Sequence, residues 1–230
     1  MRRAKNVQHR LQKNIDNKKG LMVNIEDVPE LTMNFQPNYH HTLLEAQHFS
    51  MKIEDKKLFH DLNLIVKNQG VVSLEGENGS GKSTFLKFLL GKTSQCQCHG
   101  KFELANGLSI SYLPQEFGEY TGNLMEFAEK QRISYKELLN NLKKMGFPRE
   151  SFTTKIEEMS MGQQKRVALA KSLVEPADLY LWDEPANYLD VFNQDQLIEL
   201  LKKIEPAMLL IEHDEYFIEQ VAGQRIRLTE

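Results

Sequence analysis

Short apolar runs separated by polar turns begin near residue 42 and predict β-strands. The run 178–182 is almost entirely apolar and predicts a strand buried inside a sheet. The predicted strands are 43–49, 62–66, 71–75, 108–113, 178–182, 207–212 and 225–228, with a further short candidate at 31–35.

Helical patterns alternate with these strands after the first third of the chain. We predict helices over 82–90, 197–204 and 216–221, another that starts near Gly162, and an amphipathic stretch over 123–158. Strands that alternate with helices are typical of an α/β fold with a mostly parallel sheet. The stretch 123–158 interrupts this alternation and predicts a separate helical lobe.

The charge of the chain is unevenly distributed. The 230 residues are 40% hydrophobic and 27% charged, which is typical of a soluble globular protein, and the formal net charge is −3. Residues 1–20 predict a helix that ends at Gly20, and its charges are basic except for Asp16. This segment favours contact with a phosphate backbone, although a solvated helix face is an equally good interpretation of the charge alone.

Several classes of protein are disfavoured. The apolar runs are far shorter than the ~20 residues that a membrane span requires, and the basic N-terminus lacks the apolar stretch of a secretory signal. We therefore expect a cytoplasmic protein without membrane insertion. Cys96, Cys98 and His99 could suggest a metal site, but structural zinc needs four ligands at wider spacing. We expect these cysteines to be thiols of a loop or a strand.

The strongest local motif is G-E-N-G-S-G-K-S at 76–83, which fits G-x-x-x-x-G-K-[S/T] between a predicted strand and a predicted helix. In such a loop the glycines let backbone N–H groups surround phosphate oxygens, and the helix aims its positive end at them. Lys82 would reach the β- and γ-phosphates, and the Ser83 hydroxyl would bind Mg²⁺. The predicted phosphate-binding residues are Gly76, Asn78, Gly79, Ser80, Gly81, Lys82, Ser83 and Thr84.

A second motif is the apolar strand 179–182 followed by Asp183 and Glu184. Downstream of a phosphate-binding loop, this pattern places Asp183 beside the metal and Glu184 where it can polarise an attacking water. A strand that ends in two acids is common, and in isolation the same pair could equally cap the next helix.

Between the two motifs lies M-S-M-G-Q at 159–163, which resembles the L-S-G-G-Q signature of ABC ATPases. Further elements resemble this family in the expected order: Gln115 matches the Q-loop glutamine, Asp190 the D-loop, and His213 the switch histidine. The resemblance covers residues 43–228. It implies an ABC-type fold in which a mostly parallel core sheet is joined by an antiparallel β subdomain and a helical subdomain at about 119–175.

The resemblance also implies roles for residues. Glu184, His213 and Gln115 would be catalytic, and Ser83, Gln115 and Asp183 would bind Mg²⁺ beside ATP. The signature residues Ser160, Met161, Gly162 and Gln163 would face the nucleotide of a second ABC domain, so we expect weak or no hydrolysis by one domain alone. Two residues depart from the family pattern: Met161 replaces a glycine, and Ile53 stands where an aromatic side chain usually stacks on adenine.

The residues after Glu184 resemble the ABC-F branch, whose antibiotic-resistance members bind the ribosome. On this interpretation residues 1–20 are the end of an inter-domain linker, 21–41 a connector, and 42–230 the second ABC domain of a longer protein. The partner would then be another ABC domain, in the same polypeptide or in a head-to-tail homodimer, together with the ribosome or its RNA. The alternative is the ATPase subunit of a membrane transporter. A chromosome or repair ATPase is disfavoured because the segment between Gln115 and Ser160 is too short for a coiled coil.

Overall fold

The computed structural model describes residues 30–54, 56–93 and 96–229. The predicted helix over 1–20 and the first part of the connector lie outside these residues. The strands are β1 (Thr42–Ile53), β2 (Lys56–Lys67), β3 (Val71–Glu75), β4 (Cys96–Leu104), β5 (Ile110–Leu113), β6 (Leu179–Asp183), β7 (Met208–Ile211) and β8 (Gln224–Arg227). The helices are α1 (Lys82–Leu89), α2 (Leu124–Gln131), α3 (Tyr135–Lys144), α4 (Met161–Val174), α5 (Val191–Ile204) and α6 (Glu215–Val221), with 3₁₀ turns at Arg149–Thr153 and Ile156–Glu158.

The larger sheet of the described residues is parallel and has the strand order β5-β6-β7-β3-β8. Every residue of β6 and β7 is buried, which explains why their sequences are apolar. This sheet and its helices confirm the predicted α/β fold. Because the strands run parallel, the segments that follow β3, β5, β6 and β7 all emerge at the same edge of the sheet.

The smaller sheet of the described residues is antiparallel, with β1 paired to β2 on one side and β4 on the other. Its buried face packs on α1 through phenylalanine rings. The Phe49 ring lies 6.1 Å from that of Phe85 and 5.4 Å from that of Phe102. Such aromatic contacts stabilise the packing beyond simple area burial. The Phe59 ring of β2 lies 5.7 Å from the same Phe85 ring, which brings β2 close to the loop between β3 and α1.

Strand β4 was not predicted as an element, although its cysteines were expected in a loop or a strand. Its side chains alternate in polarity, with Cys96, Cys98, Phe102 and Leu104 half-buried and the residues between them exposed, but Gly100 leaves the middle of the apolar series without a side chain. The glycine is required because a Cβ atom at Gly100 would lie 2.3 Å from the His48 carbonyl oxygen, and its φ is +96°. The pairing of β1 with β4 shifts register between Gln47 and Ser50, beside this close approach.

The predicted strand at 31–35 is wrong. Only one isolated bridge forms there among the described residues, between Phe35 and Ala177. The Asn141 side chain takes the place of a neighbouring strand: its Oδ1 accepts from the Thr32 N–H at 3.1 Å, and its Nδ2 donates to the Thr32 carbonyl at 3.0 Å. A side chain that satisfies both backbone groups removes the need for a ladder.

The predicted helical stretch 123–158 is divided into α2, α3 and the two 3₁₀ turns. Ser134 caps the start of α3, while Gly146, with φ +68°, and Pro148 follow its end. The prediction for α5 was also too short: this helix begins at Val191 rather than at 197, because the Asp190 side chain accepts from the Asn193 N–H at 2.9 Å. Among the described helices none has the length and apolar character needed to cross a membrane.

A buried polar chain attaches α4 to the parallel sheet. The indole N–H of Trp182 in β6 donates to the Ser172 hydroxyl of α4 at 2.8 Å, and the Ser111 hydroxyl of β5 lies 2.8 Å from that same oxygen. All three residues are fully buried. Buried polar groups that are fully satisfied fix one arrangement of the elements that carry them. The position of α4 on the sheet is therefore specific.

Candidate functional site

The segment 76–81 joins β3 to α1 as a tight loop. Gly79 and Gly81 have φ values of +87° and +94°, which glycine adopts without strain. At Gly81 a Cβ atom would also lie 2.8 Å from the Leu58 Cβ of β2. The loop ends at the first turn of α1, where the N–H groups have no partner within the helix. Of the other residues predicted to bind phosphate here, Asn78 is exposed, Ser80 is buried and Thr84 is half-buried.

Lys82 is folded back onto this loop. Its ammonium donates to the carbonyl oxygens of Gly76 and Glu77, each at 2.8 Å. Burial lowers the pKa of Lys82, while the negative charges of Asp183 and Glu184 act in the opposite direction. The loop carbonyls thus hold a cation at the end of β3, within the field of Asp183, the last residue of β6, and of Glu184, which follows it.

Asp183 is the last residue of β6 and is 1% exposed. Neither of its carboxylate oxygens has a hydrogen-bond partner of ordinary geometry within the described residues. Burial raises its pKa, and the Ser83 hydroxyl and the positive charge of Lys165 oppose this shift. A buried carboxylate without partners is unfavourable by a few kcal/mol unless a cation or a donor approaches it. Asp183 is therefore the clearest cation-binding group of the site.

Glu184 adopts an uncommon backbone conformation. Its φ is +51°, a left-handed value that is unfavourable by roughly 1–2 kcal/mol for residues other than glycine. Its carboxylate accepts from the Asn187 side chain at 3.2 Å and lies 3.7 Å from Nε2 of His213. Strained backbone at the end of a buried strand is a recurrent feature of functional sites. The structure thus brings the predicted pair Glu184 and His213 together.

Gln115 follows β5 and lines an open cavity of about 1020 Å³. Ser83 and Asp183 line the same cavity, so the three residues predicted to bind metal face one space. The cavity continues past Tyr112 and Glu119 toward the helical part of the chain rather than over the loop 76–81. It therefore opens at the metal end of the candidate site.

These residues fit Mg²⁺. The ion prefers near-octahedral oxygen ligands and is usually held by one or two carboxylates together with substrate phosphates. Ser83, Gln115 and Asp183 supply a hydroxyl, an amide oxygen and an unpartnered carboxylate. Among the described residues there is no cluster of three or more histidine, cysteine, aspartate or glutamate side chains that could hold a metal unaided. Oxygen ligands from a phosphate substrate would complete such a site.

The segment 159–163 forms the start of α4. Ser160 caps the helix: its hydroxyl accepts from the Gln163 N–H at 3.3 Å, and the Gln163 side chain accepts from the Ser160 N–H at 2.9 Å. Met161 points outward, and Gly162 lies close to the Tyr188 carbonyl oxygen. Ser160 and Met161 are exposed, Gly162 and Gln163 are half-buried, and none of the four lines the cavity beside Asp183.

Asp190 joins α4 to the segment after Glu184. One of its carboxylate oxygens caps α5, and the other accepts from the Arg166 guanidinium at 2.7 Å. Around it, large apolar side chains are exposed: Tyr188, Val191 and Phe192. An exposed apolar group of this size commonly marks an interaction surface.

Ile53 is the last residue of β1 and packs on the core beneath the antiparallel sheet. Two residues of the adjoining β2 approach the loop 76–81. A Cβ atom placed on Gly81 would lie 2.8 Å from the Leu58 Cβ, and one placed on Gly79 would lie 3.9 Å from the Lys56 Nζ. Ile53 therefore lies at the end of a hairpin whose second strand borders the loop.

The model of the ABC transporter family matches residues 59–187. The chain belongs to the ABC transporter family. The matched segment contains the loop 76–83, Gln115, the signature at 159–163, and Asp183 with Glu184. The remaining predicted site residues of this ABC domain, Ile53, Asp190 and His213, lie outside it.

Curated relatives resemble the chain over most of its length. Ribosome protection protein VmlR of Bacillus subtilis is 29% identical over 98% of this chain and 41% of its own length. ATP-binding protein Uup-like of Haemophilus influenzae is 30% identical over 79% of the chain and 41% of its own length. ABC transporter F family member 5 of Arabidopsis thaliana is 26% identical over 82% of the chain and 28% of its own length. The predicted resemblance to the ABC-F branch is confirmed, and the chain spans less than half of each relative.

Solved structures agree on the fold. An archaeal ribosome recycling factor, solved with an archaeal ribosomal stalk protein, has 26% identity and a TM-score of 0.67, over 87% of this chain and 40% of that one. A putative metal-chelate type ABC transporter has 22% identity and a TM-score of 0.64, over 82% of this chain and 80% of that one. The second likeness shows the fold alone.

Glu212 is a residue of this ABC domain that the sequence predictions missed. Glu212 follows β7 and is buried, and its carboxylate accepts from the backbone N–H groups of Ala186 at 2.9 Å, His213 at 2.8 Å and Asp214 at 3.3 Å. It thereby ties the loop after Glu184 to the loop that carries His213. A glutamate at a predicted strand end gives no sign of this role, because its donors come from two separate loops.

Proposed function

We propose that the chain is a MgATP-binding and hydrolysing ABC-F domain, and that it forms the C-terminal half of a ribosome-associated translation factor or antibiotic-resistance protein. The observation that carries the chemical part is Asp183, a buried carboxylate whose oxygens have no hydrogen-bond partner of ordinary geometry among the described residues, although the Ser83 hydroxyl is near and Lys82 lies within its field. This arrangement suits a cation bound to phosphate oxygens. Family membership supports it at the level of an ABC ATPase domain.

Binding would involve residues at the edge of the parallel sheet. The N–H groups of 76–84 would donate to the ATP phosphates, and the Lys82 ammonium would pair with their β- and γ-oxygens. Ser83, Gln115 and Asp183 would hold Mg²⁺, which when bound neutralises charge on the β- and γ-phosphates. Adenine would pack on the side of Ile53, at the hairpin of β1 and β2.

Hydrolysis would involve Glu184 and His213. The Glu184 carboxylate is placed to orient and polarise a water, because Asn187 holds one of its oxygens and His213 lies near the other. His213 is half exposed and free to contact the γ-phosphate, as the family resemblance implies. Gln115, at the cavity beside Asp183, would contact the metal and the water.

The reaction site would be shared between two domains. Ser160, Met161, Gly162 and Gln163 would belong to a helical subdomain at about 119–175 of a domain 42–230, and they would face the nucleotide of a second ABC domain. Hydrogen-bond donors there would stabilise charge that develops on the γ-phosphate. The chain covers 41% of the length of each of the first two relatives, so they have room for such a second domain.

The ribosomal part of the proposal is supported by relatives and by charge. VmlR carries the name ribosome protection protein, and the archaeal structure is of a ribosome recycling factor. The basic residues of 1–20, read as the end of an inter-domain linker, suit contact with an RNA backbone.

Steady-state hydrolysis by the purified chain tests the shared site. We expect turnover to be weak and to rise with protein concentration, because two copies must meet to complete a site. Rapid turnover at low concentration, independent of dimerisation, would contradict shared-site catalysis.

Co-sedimentation with ribosomes tests the partner. The Glu184→Gln variant of the complete protein should stay on ribosomes with MgATP, because hydrolysis that would release it is slowed. The same variant carrying Lys82→Ala is the control, since it should not retain nucleotide. Equal sedimentation of both variants, or of neither, would remove the ribosomal role and favour the ATPase subunit of a transporter.

A further inference from the structure

Lys165 lies where three functional segments meet. It is on α4, two residues after the signature 159–163, and is 1% exposed. Its ammonium donates to the Glu184 carbonyl oxygen at 2.7 Å and lies 3.5 Å from that of Asp183. It also lies 5.4 Å from the ring centroid of Phe117, two positions after Gln115.

The contact with the Glu184 carbonyl bears on the strained backbone at that residue. The Glu184 N–H donates to Ile211 at 2.8 Å, which continues the β6–β7 ladder. Its carbonyl accepts from Lys165 and, at 3.2 Å, from the Asn187 N–H of the turn that follows. A left-handed conformation persists only where the surroundings hold it. Of these donors, Lys165 is the one that comes from a distant element.

A buried lysine is not needed for packing. Burial lowers the pKa of Lys165 to about 8, against the attraction of Glu212, Asp183 and Glu184. A methionine of similar length would fill the same space without a buried charge, and such replacements are often neutral or stabilising. What methionine lacks is the donor to the Glu184 carbonyl.

We propose that Lys165 is a positioning residue that holds the left-handed backbone of Glu184 and so aims its carboxylate. Lys165 also belongs to α4, the helix that Ser160 caps. It therefore links Glu184 to the surface that would face a second domain. The inference about aim rests on the proposed ATPase function, whereas the inference about the backbone does not.

Nuclear magnetic resonance of the 230-residue chain tests the backbone directly, without nucleotide. The intraresidue HN–Hα Overhauser contact of Glu184, together with its Cα and Cβ chemical shifts, reports the sign of φ, and we expect the left-handed values in the wild type. Lys165→Met should lose them. Lys171→Met is the matched control, because Lys171 is a second buried lysine of α4 but pairs with the Glu175 carboxylate at 2.6 Å. It should keep the left-handed shifts.

The outcomes separate the two proposals. Left-handed shifts that persist in Lys165→Met, or that vanish equally in Lys171→Met, would overturn the positioning role. If Lys165→Met does not fold, the wild-type protein provides the test. Its Lys165 ammonium protons should exchange slowly with solvent and show Overhauser contacts to Glu184 and Phe117. Absence of these contacts would overturn the inference.

A kinetic measurement tests the consequence for catalysis. In single-turnover assays with protein in excess, Lys165→Met should hydrolyse MgATP at least about tenfold more slowly, with the dissociation constant of MgATP changed by less than about twofold. An unchanged rate would contradict the aiming role. Failure of the wild type to bind MgATP would instead overturn the proposed function, and the backbone measurement would still decide the role of Lys165.

Discussion

Two sides of the candidate site differ in the chemistry of their side chains. The phosphate side consists of Lys82, Ser83, Asp183 and Glu184, and the partner side of Met161, Tyr188, Val191 and Phe192. On the phosphate side, Asp183 is a fully buried charge. On the partner side, Val191 is 71% and Tyr188 53% exposed. One side thus buries polar groups and the other exposes apolar ones.

A buried carboxylate and exposed apolar side chains are both unfavourable for an isolated domain, and each would be relieved by a different kind of ligand. A buried unpartnered carboxylate suits a cation with its phosphates, whereas exposed aromatic and aliphatic groups suit a protein surface. The two sides are joined by α4, whose Lys165 contacts Glu184 and whose Arg166 contacts Asp190. The following predictions test this division.

The largest effect is expected on the phosphate side. Lys82→Ala should raise the dissociation constant of MgATP at least about 100-fold, because it removes a charged donor to two phosphates. Isothermal titration calorimetry measures it. Lys101→Ala on β4, an exposed lysine away from the loop, should change the constant by less than about twofold. Normal binding by Lys82→Ala would show that the loop is not the nucleotide site.

A charge on the partner side should weaken association without affecting nucleotide binding. In the Glu184→Gln background, Val191→Asp should weaken MgATP-dependent dimerisation at least about tenfold, because the carboxylate would be buried at the interface. Sedimentation velocity measures the dimer. Ile65→Asp places the same charge at an exposed apolar position on β2 and should have no effect. A dimer that tolerates Val191→Asp would exclude this surface.

A substitution at Glu212 tests how much its hydrogen bonds to the two loops of the phosphate side contribute to stability. Glu212→Gln should lower the free energy of unfolding by about 1–3 kcal/mol, because an amide cannot accept from all three N–H groups. Urea unfolding measures it, with Glu219→Gln, exposed on α6, as the control at less than about 0.5 kcal/mol. Equal stability of the two variants would mean that the Glu212 contacts contribute little.

The smallest effect is expected at Met161. Met161→Gly should lower the free energy of unfolding by at most about 1 kcal/mol, because it places glycine in the first turn of α4. It should also strengthen MgATP-dependent dimerisation about two- to fivefold, since a smaller residue lets the second domain approach. Met125→Gly, at an equally exposed methionine in the first turn of α2, should lower stability similarly and leave dimerisation unchanged. Weaker dimerisation by Met161→Gly would assign Met161 a favourable contact.

The parallel core was predictable because its strands are buried on both faces. Strand β3 was predicted with its observed bounds, and β6 and β7 to within one residue at each end. The residues that follow these strands could therefore be placed at one edge of the sheet from the sequence alone. Strand β4 and the start of α5 were missed. The alternation of β4 is interrupted at its centre by Gly100, whose role depends on the distant β1, and the start of α5 depends on a cap by Asp190.

Lys165 shows why parts of the site could not be predicted. It stands in Gln163-Gln164-Lys165-Arg166, a run of polar residues that resembles a solvated helix face. Its burial follows from the packing of α4 on the ends of β5 and β6, which no local pattern encodes. Glu212 is similar, since its donors lie in two loops. Roles that depend on tertiary contacts with backbone groups leave little trace in residue type or spacing.

Trp182 gives the protein an optical probe at a useful place. It is the single tryptophan of the sequence, it is fully buried, and it immediately precedes Asp183. Its indole N–H is held by Ser172 of α4, so the ring contacts both the sheet and the helix that carries the signature. Fluorescence excited at the red edge of the protein absorption band comes from this one ring. The unlabelled protein can thus report, in its own emission, any movement of α4 relative to the end of β6.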